Sequence, residues 1–262
     1  MLKKYQLNYK DHIILFEYCK KKKLKFVSSV FGYKSFKLYN NFKTDFVKIP
    51  SGEINNISFL KYLDGFNKNI ILSTGMATKK EIDNAVKNLR KTKNKQKLSL
   101  MHCVSSYPAK FDEMNLNSIK YLKKKYKLKV GLSDHTNSTV IPFMAHAIGA
   151  NYIEKHFTLD KSLIGPDHKA SIDEAQLKEI VYSIKNLKKI YGRLGKFVTK
   201  SEEINKSVVR KSIHASKKIS KYEKFSLGNI CLKRPGNGIS ADKYLNIIGT
   251  KAKKNYKKDD LI

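Results

Sequence analysis

Residues 70–104, IILSTGMATKKEIDNAVKNLRKTKNKQKLSLMHCV, decide the fold. The stretch opens and closes on β-like apolar runs, residues 70–74 and 98–104, with a helical pattern between them. Thr78 and Glu81 have the spacing of a capping box, which marks the start of a helix. One face of that helix is apolar: Ile82, Ala85, Val86 and Leu89. A strand, an amphipathic helix and a second strand in this order are typical of a βαβ unit, whose two strands are parallel.

The same alternation continues on both sides of this unit, from residue 25 to about Gly192. Ser171 and Glu174 predict a second capping box, and Gly192 is the predicted end of the helix that follows. The apolar face of that helix comprises Leu177, Ile180, Val181, Ile184 and Leu187. The predicted strands are residues 25–29, 46–49, 70–74, 98–104, 130–133 and 152–156. The sequence therefore predicts a parallel α/β domain.

Polar side chains end each predicted strand, which favours a closed sheet. A (β/α)8 TIM barrel builds its site from the carboxyl ends of all its strands. No glycine-rich phosphate turn follows the first predicted strand, so a dinucleotide-binding fold is disfavoured. A complete barrel needs eight strands, and the pattern supplies six. Over residues 1–192 two interpretations stay open at this point: a TIM barrel that lacks two strands, or a sheet that is not closed.

After Gly192 the pattern changes to short β-like pieces with turn signals. Residues 193–205 are predicted to be a linker, and residues 206–262 a second domain. A segment of this size buries little apolar surface of its own, so we expect it to dock on a neighbour.

The composition excludes several classes of protein. The chain has 262 residues and a formal net charge of +32, but only four of its 54 basic residues are arginine. Its common residues share A/T-rich codons, and its lysine runs lie in separate segments, so we expect no nucleic-acid partner. No apolar run reaches the ~18 residues of a membrane span, and the N-terminus does not resemble a signal peptide. Three widely spaced cysteines predict no disulfide framework, and we expect a cytoplasmic protein with no membrane partner.

Two groups of strand-end residues suggest chemistry. His135 and His156 end consecutive predicted strands, which lie ~4.8 Å apart in a sheet, so both imidazoles can reach one divalent metal. A histidine pair by itself is more often structural. Other strand ends carry an amine and hydroxyls suited to an anionic phosphate or carboxylate: Lys48, Ser51, Ser73 and Ser29. Each serine alone is more often a strand-end cap.

Longer motifs carry a family resemblance. In chain order they are KIPSGEINN (48–56), ILSTGMATKKEID (71–83), HCVSSYPA (102–109), GLSDHT (131–136), GANYIEKHFTLDKSLIGPDHKAS (149–171) and KRPGNGIS (233–240). Together they resemble the sialic acid synthase family, which comprises N-acetylneuraminate synthase and its legionaminate and pseudaminate relatives. The resemblance runs from about residue 8 to the end, and the C-terminal segment is similar to the family's antifreeze-like (SAF) domain.

The resemblance implies an incomplete (β/α)8 TIM barrel of the aldolase type over residues 1–192, a reaction and a set of site residues. The reaction condenses phosphoenolpyruvate with an N-acetylmannosamine-like 2-acetamido sugar to a nine-carbon 2-keto acid and phosphate. It implies Mn²⁺, or alternatively Mg²⁺ or Co²⁺, bound by His135 and His156, and a homodimer whose SAF domains are swapped over the partner's barrel. The implied catalytic residues are His135, His156, Lys48 and Glu53. The implied substrate-binding residues are Ser29, Lys48, Ser51, Ser73, Ser105, Tyr107, Ser133, Asp167 and Arg234.

The sequence also departs from the family pattern. Ser105 stands where many relatives have Asn, and Ser29 where Thr is usual. Motifs like AEIGxNHNG and VKFQ, which carry a Glu and a Lys on the family's first two strands, do not occur in the 262 residues. We therefore expect residues 1–262 alone not to catalyse the condensation. The alternative is a non-catalytic remnant or subunit that binds phosphosugars or pairs with a complete paralogue, and the sugar stays open.

Overall fold

The predicted strands form one parallel sheet. A computed structural model describes residues 6–63, 68–90 and 98–262. Within them the strands of the first unit are β1 (Phe46–Ile49), β2 (Asn69–Ser73), β3 (Leu98–Cys103), β4 (Lys129–Asp134) and β5 (Ile153–Lys155). They lie side by side in chain order, and each neighbouring pair is parallel. This confirms the parallel α/β domain.

Two helices precede the sheet, and a helix follows each of its strands. Their bounds are α1 (Tyr9–Lys21), α2 (Gly32–Asn40), α3 (Ile57–Leu63), α4 (Lys79–Leu89), α5 (Asn117–Tyr126), α6 (Val140–Ala147) and α7 (Glu174–Tyr191). Short 3-10 turns occupy Ser51–Glu53, Phe111–Glu113 and His168–Ala170. The Thr78–Glu81 capping box is confirmed: each side chain accepts the other residue's backbone N–H at the start of α4.

The predicted start of α7 is wrong by two residues. Asp173, and not Ser171, is the N-cap, and its capping box is formed with Gln176. Ser171 donates its hydroxyl to the Asp167 carbonyl instead, and Ile172 forms a parallel bridge with Phe157. The chain is therefore still extended at Ile172, and the helix begins only after it. Gly192 ends α7 as predicted, with a φ of 58°.

The first predicted strand, residues 25–29, is also wrong as a strand. It is reduced to one parallel bridge between Ser29 and Lys48, with the Val30 N–H donating to the Lys48 carbonyl at 3.0 Å. Among the described residues this segment pairs only with β1, which leaves its other edge without a ladder. A single bridge nevertheless places Ser29 next to Lys48.

The sheet is strongly curved. β1 and β5 are its two edges, yet Lys48 Nζ in β1 lies 3.1 Å from Glu154 Oε1 in β5. Neighbouring strands lie ~4.8 Å apart, so a flat sheet of this order would separate its edge strands by roughly 19 Å. The two side chains can meet only if the sheet curls around them, as in a TIM barrel. The structure is thus an incomplete barrel whose interior face carries Lys48 and Glu154.

The opposite face of the sheet packs on the helices and forms the main core. Val47 and Ile49 of β1 and Val130 and Leu132 of β4 are buried there. Their alternation with Lys48 and Ser133 follows from the two-residue period of a strand. The sequence pattern therefore decides which side chains point into the barrel.

The second unit, Arg193–Ile262, has its own small core. It contains α8 (Lys200–Val209), an antiparallel pair β6 (Ser212–Ala215) and β7 (Ile230–Lys233), a 3-10 turn at Ala241–Lys243 and α9 (Tyr244–Ile247). Helix α8 begins inside the segment predicted to be a linker. None of the described helices of either unit has the length and apolar character needed to cross a membrane.

Candidate active site

Two imidazoles and a phenol ring form the centre of the candidate site. His135 follows β4 and His156 follows β5, and their ring centres lie 5.3 Å apart. The Tyr107 ring lies 4.3 Å from the His135 ring and 5.5 Å from the His156 ring. Burial, followed by the nearby Cys103, Asp167 and Glu154, raises the pKa of Tyr107. The ring therefore stays a neutral phenol beside the imidazoles.

His135 is held as a neutral ring with one free lone pair. Its Nδ1 lies 2.6 Å from the Val104 carbonyl oxygen, which can only accept, so Nδ1 carries the proton. Burial, the largest effect, lowers the pKa of His135 below its ordinary value. The lone pair is left on Nε2, which lies 3.3 Å from Ser133 Oγ on the barrel interior.

The histidine pair fits a divalent metal. A metal–nitrogen bond of about 2.1 Å, plus the radius of the ring, places two imidazoles on one ion with ring centres about 5 Å apart. The observed 5.3 Å matches this spacing. Asp167 Oδ2 lies 3.7 Å from His156 Nδ1, a separation longer than a hydrogen bond. Within residues 6–63, 68–90 and 98–262 no group of three or more His, Cys, Asp or Glu side chains has metal-binding spacing. The protein would thus supply two imidazoles and leave other positions to water or substrate.

Glu154 joins Lys48 to Ser133 on the barrel interior. Lys48 Nζ donates to Glu154 Oε1 at 3.1 Å, and Ser133 Oγ donates to the same oxygen at 2.7 Å. The three side chains come from β1, β5 and β4. An ammonium and a hydroxyl are thereby held beside the two imidazoles, where an anionic substrate would meet them.

A second group of hydroxyls lies at the ends of β1, β2 and β3. Ser51 Oγ accepts the Gly75 N–H at 2.9 Å and lies 3.2 Å from Cys103 Sγ. A Cβ at Gly75 would lie 2.4 Å from Ser105 Oγ and 2.8 Å from Ser51 Oγ. Only glycine therefore lets these side chains close around the backbone at this position.

Ser73, at the end of β2, has a buried hydroxyl that stands alone. It is 1% exposed, and its Oγ has no hydrogen-bond partner in the described part of the chain. Buried hydroxyls are nearly always paired, so this one is a candidate position for a ligand oxygen or an ordered water.

The structure does not bring every predicted site residue into this group. The Glu53 carboxylate accepts a hydrogen bond from Asn56 Nδ2 at 2.8 Å. Ser29 is next to Lys48 through their backbone bridge. Arg234 belongs to the second unit and follows the last residue of β7. The roles of Glu53 and Arg234 stay predictions.

Sequence reasoning missed the residues that hold the site together. Glu154 was visible only as one of several polar strand-end residues, although it contacts both Lys48 and Ser133. Asp134 and Lys155 form an ion pair at 2.9 Å. The signal that would have found them is strand alternation: in SDH and EKH the middle residue must point away from the two on either side.

A cavity lies elsewhere in the first unit. It has a volume of about 550 Å³, and its lining includes Phe16, Phe26, Asp45 and Phe46. Asp45 and Phe46 are at the amino end of β1, whereas TIM-barrel sites lie at the carboxyl ends of the strands. This cavity is therefore separate from the candidate site.

Known proteins are similar to this chain in sequence and in fold. Residues 1–196 match the NeuB family and residues 210–262 match the SAF domain. The chain is 47% identical to an N,N'-diacetyllegionaminic acid synthase from Campylobacter jejuni, over 100% of this chain and 79% of that protein. It is 34% identical to a Campylobacter jejuni pseudaminic acid synthase, over 97% of this chain and 74% of the relative.

Solved structures agree with this relationship. An N-acetylneuraminic acid synthetase from Leptospira borgpetersenii superposes with a TM-score of 0.69 and 34% identity. The alignment covers 76% of this chain and 70% of the other. A match over most of the chain at this identity establishes common descent. The chain belongs to the NeuB family of sialic-acid-type synthases, with an incomplete barrel followed by a SAF domain.

Proposed function

We propose that the site condenses phosphoenolpyruvate with the open-chain aldehyde of a 2-acetamido sugar, and that the products are a nine-carbon 2-keto acid and phosphate. The observation that carries the proposal is the convergence of Lys48, Ser133 and the two imidazoles on the barrel interior. Relatives that are sialic-acid-type synthases support the same chemistry. We propose only the class of the sugar, a 2-acetamido sugar.

The phosphoenolpyruvate anion would bind through donors of two kinds. Lys48 supplies a positive charge and Ser133 supplies a hydroxyl. In this structure both side chains donate hydrogen bonds to Glu154. Ser51 and Ser105 meet at Gly75, and Ser73 has a hydroxyl ready for a ligand oxygen. Charge-assisted hydrogen bonds of this kind are roughly twice as strong as neutral ones. Tyr107 would close this side of the site against the imidazoles.

His135 and His156 would hold the divalent cation, with Mn²⁺ as the first choice and Mg²⁺ or Co²⁺ as alternatives. The chemistry it supplies when bound is Lewis-acid polarisation of the sugar carbonyl. The protein's part is to present a neutral imidazole, which the burial of His135 and its bond to Val104 achieve. Asp167, and Glu53 after β1, would face the sugar.

The bond changes balance without an oxidant or reductant. The C2=C3 π electrons of phosphoenolpyruvate form a bond from C3 to the aldehyde carbon, whose C=O π bond opens and whose oxygen takes up a proton. Water then adds at C2 and loses one proton. The C2 hydroxyl so formed loses a second proton to the phosphate as the C2–O bond to phosphate breaks, which gives the ketone and hydrogen phosphate. Lys48 beside the phosphate would offset the charge that the leaving group gains.

We further propose that residues 1–262 bind the ligands but do not catalyse the condensation by themselves. The sheet has five strands in the described part of the chain, whereas a barrel site draws on eight. The competing function is a binding subunit without catalysis. A domain-swapped homodimer, with Arg234 reaching the partner's sugar, belongs to the same proposal.

The test uses a fusion in which the first barrel strands of the Campylobacter jejuni legionaminic acid synthase precede residue 8 of this chain. Phosphate release is measured with phosphoenolpyruvate, Mn²⁺ and each of several 2-acetamido sugars. We expect turnover that requires all three components and falls by about 10²-fold or more in His135→Ala and His156→Ala. His12→Ala, a histidine on α1 that contacts the Asn8 carbonyl, is the matched control. A folded fusion protein that binds phosphoenolpyruvate but releases no phosphate would favour the competing function, a binding subunit without catalysis.

A further inference from the structure

A buried ion pair lies directly behind the histidine pair. Asp134 is the last residue of β4 and Lys155 the last of β5, and the two are opposite each other in the strand register. Lys155 Nζ lies 2.9 Å from Asp134 Oδ2, with side chains 6% and 0% exposed. Lys155 also donates to the Thr136 carbonyl, and Asp134 Oδ1 accepts the Thr136 N–H at 2.8 Å. One cluster thus ties the end of β5 to the turn that carries His135.

The pair is on the opposite face of the sheet from the site. Ser133 and His135 face Glu154 and the barrel interior. Asp134 alternates with them and therefore shares the helix side with Leu132, which is buried in the main core. Lys155 alternates in the same way with Glu154 and His156. The pair touches none of the proposed substrate positions, so no catalytic role accounts for it.

A buried ion pair is a costly way to join two strands. Apolar side chains of similar volume usually stabilise a protein as well or better, because both charges lose their hydration on burial. What an ion pair adds is a fixed geometry: it specifies which residue of one strand lies opposite which residue of the next. Here the residues fixed are the immediate neighbours of His135 and His156.

We propose that the Asp134–Lys155 pair is a positioning device that holds the two imidazoles at metal-binding separation. This inference rests on the proposed function, since it concerns the same metal site. β4 and β5 share three paired positions, and β5 is only three residues long. The chain after β5 is held on its other side, where the His156 carbonyl accepts the Ile172 N–H at 2.9 Å. On the β4 side the ladder ends at Asp134 and Lys155, so the ion pair links the last paired residues of the two strands directly before both histidines.

The test separates positioning from stability by removing both charges together. The double variant Asp134→Asn/Lys155→Met leaves no buried charge unpaired, so its melting temperature is expected to stay near that of the wild type. Mn²⁺ alone is titrated calorimetrically into the full 262-residue chain. We expect the double variant to bind Mn²⁺ about tenfold or more weakly, the size typical of losing a group that orients ligands. Ile119→Val, a core change in α5, is the control that alters stability without reaching the site.

Each outcome decides the matter. Equal Mn²⁺ affinity in the double variant and the wild type overturns the proposal. If the double variant does not fold, Asp134→Glu keeps both charges and lengthens the carboxylate by one methylene. Weaker Mn²⁺ binding by folded Asp134→Glu supports the proposal, and unchanged binding overturns it. If His135→Ala binds Mn²⁺ as tightly as the wild type, the metal site of the proposed function is wrong. The positioning role is then wrong as well.

Discussion

The buried Ser73 hydroxyl at the end of β2 lowers the stability of the fold. The described residues offer this hydroxyl no hydrogen-bond partner. An unpaired buried polar group costs about 1–3 kcal/mol, because it has left water without replacing the lost bonds. A protein that kept this group for folding alone would gain by replacing it with alanine. We therefore interpret Ser73 as a hydroxyl held ready for an oxygen of phosphoenolpyruvate.

We expect Ser73→Ala to separate stability from binding. The melting temperature should stay the same or rise, since the unpaired hydroxyl is gone. Phosphoenolpyruvate affinity, measured calorimetrically, should fall about tenfold, the value of one hydrogen bond of about 1.4 kcal/mol to a charged group. Ser99→Ala, a buried serine in β3, is the control. A lower melting temperature with unchanged affinity would show that Ser73 is structural.

Sequence reasoning found the site residues that end strands and missed those defined by contact. His135, His156, Lys48 and Ser73 were named because a polar residue after an apolar run is visible in one dimension. Glu154 acquires its place only through curvature, which brings it to Lys48 across 106 residues of chain. The same holds for Asp134 and Lys155, whose pairing depends on strand register.

At the scale of elements, α4 and α5 are joined by a charged contact. Asp83 on α4 accepts hydrogen bonds from Lys125 Nζ and Tyr126 Oη of α5, each at 2.8 Å. These bonds, Lys125 first, lower the pKa of Asp83. Burial, followed by the bond to Asp83, raises the pKa of Tyr126 to about 12. The contact is therefore formed by a carboxylate and a neutral phenol at neutral pH.

We expect Asp83→Asn to destabilise the protein by up to about 1 kcal/mol at pH 7, as for other partly exposed ion pairs. The folded-state pKa of Asp83 is depressed, so its contribution is present above the ordinary value near 3.8 and is lost as pH falls through the lower folded value. Urea unfolding of both proteins at several pH values measures this. The difference should shrink below about pH 4, and a difference that grows there would contradict the assignment.

The elements show which local signals survive folding. The Thr78–Glu81 box was predictable because nothing else competes for those two residues. Near α7 two boxes overlap in sequence, Ser171–Glu174 and Asp173–Gln176, and the local pattern does not rank them. The bridge between Ile172 and Phe157 decides in favour of the second, and that bridge is a tertiary contact.

At the scale of the whole molecule, the proposal assigns Arg234 to the partner's site. We expect a mixture of Arg234→Ala and His135→Ala fusion subunits to regain partial phosphate release, because each mixed dimer then has one intact site. Separately, each variant should be nearly inactive. Mixed dimers are verified by two affinity tags before the assay. No recovery in verified mixed dimers would mean that Arg234 does not act across a dimer.

The incomplete barrel was predictable as a strand count, but its curvature was not. Six strand-like runs indicated a partial barrel, and the structure builds five of them into the sheet and leaves the first as a bridge. The sequence pattern does not predict that the two edges of the sheet come close to one another. The Lys48–Glu154 contact shows that they do, and the proposed anion site depends on that contact.

Titration calorimetry tests the role of this contact most directly. It measures phosphoenolpyruvate binding by the 262-residue chain and by its Lys48→Met variant. Curvature of the sheet brings Lys48 of β1 to the ends of β4 and β5. We propose that Lys48 is the cation of an anion-binding site there. We expect saturable binding by the wild type. Binding should be retained in Lys61→Met, a change on the exposed surface of α3, and weakened at least about tenfold in Lys48→Met, which loses one charged hydrogen bond. Equal affinity in all three proteins would contradict this proposal.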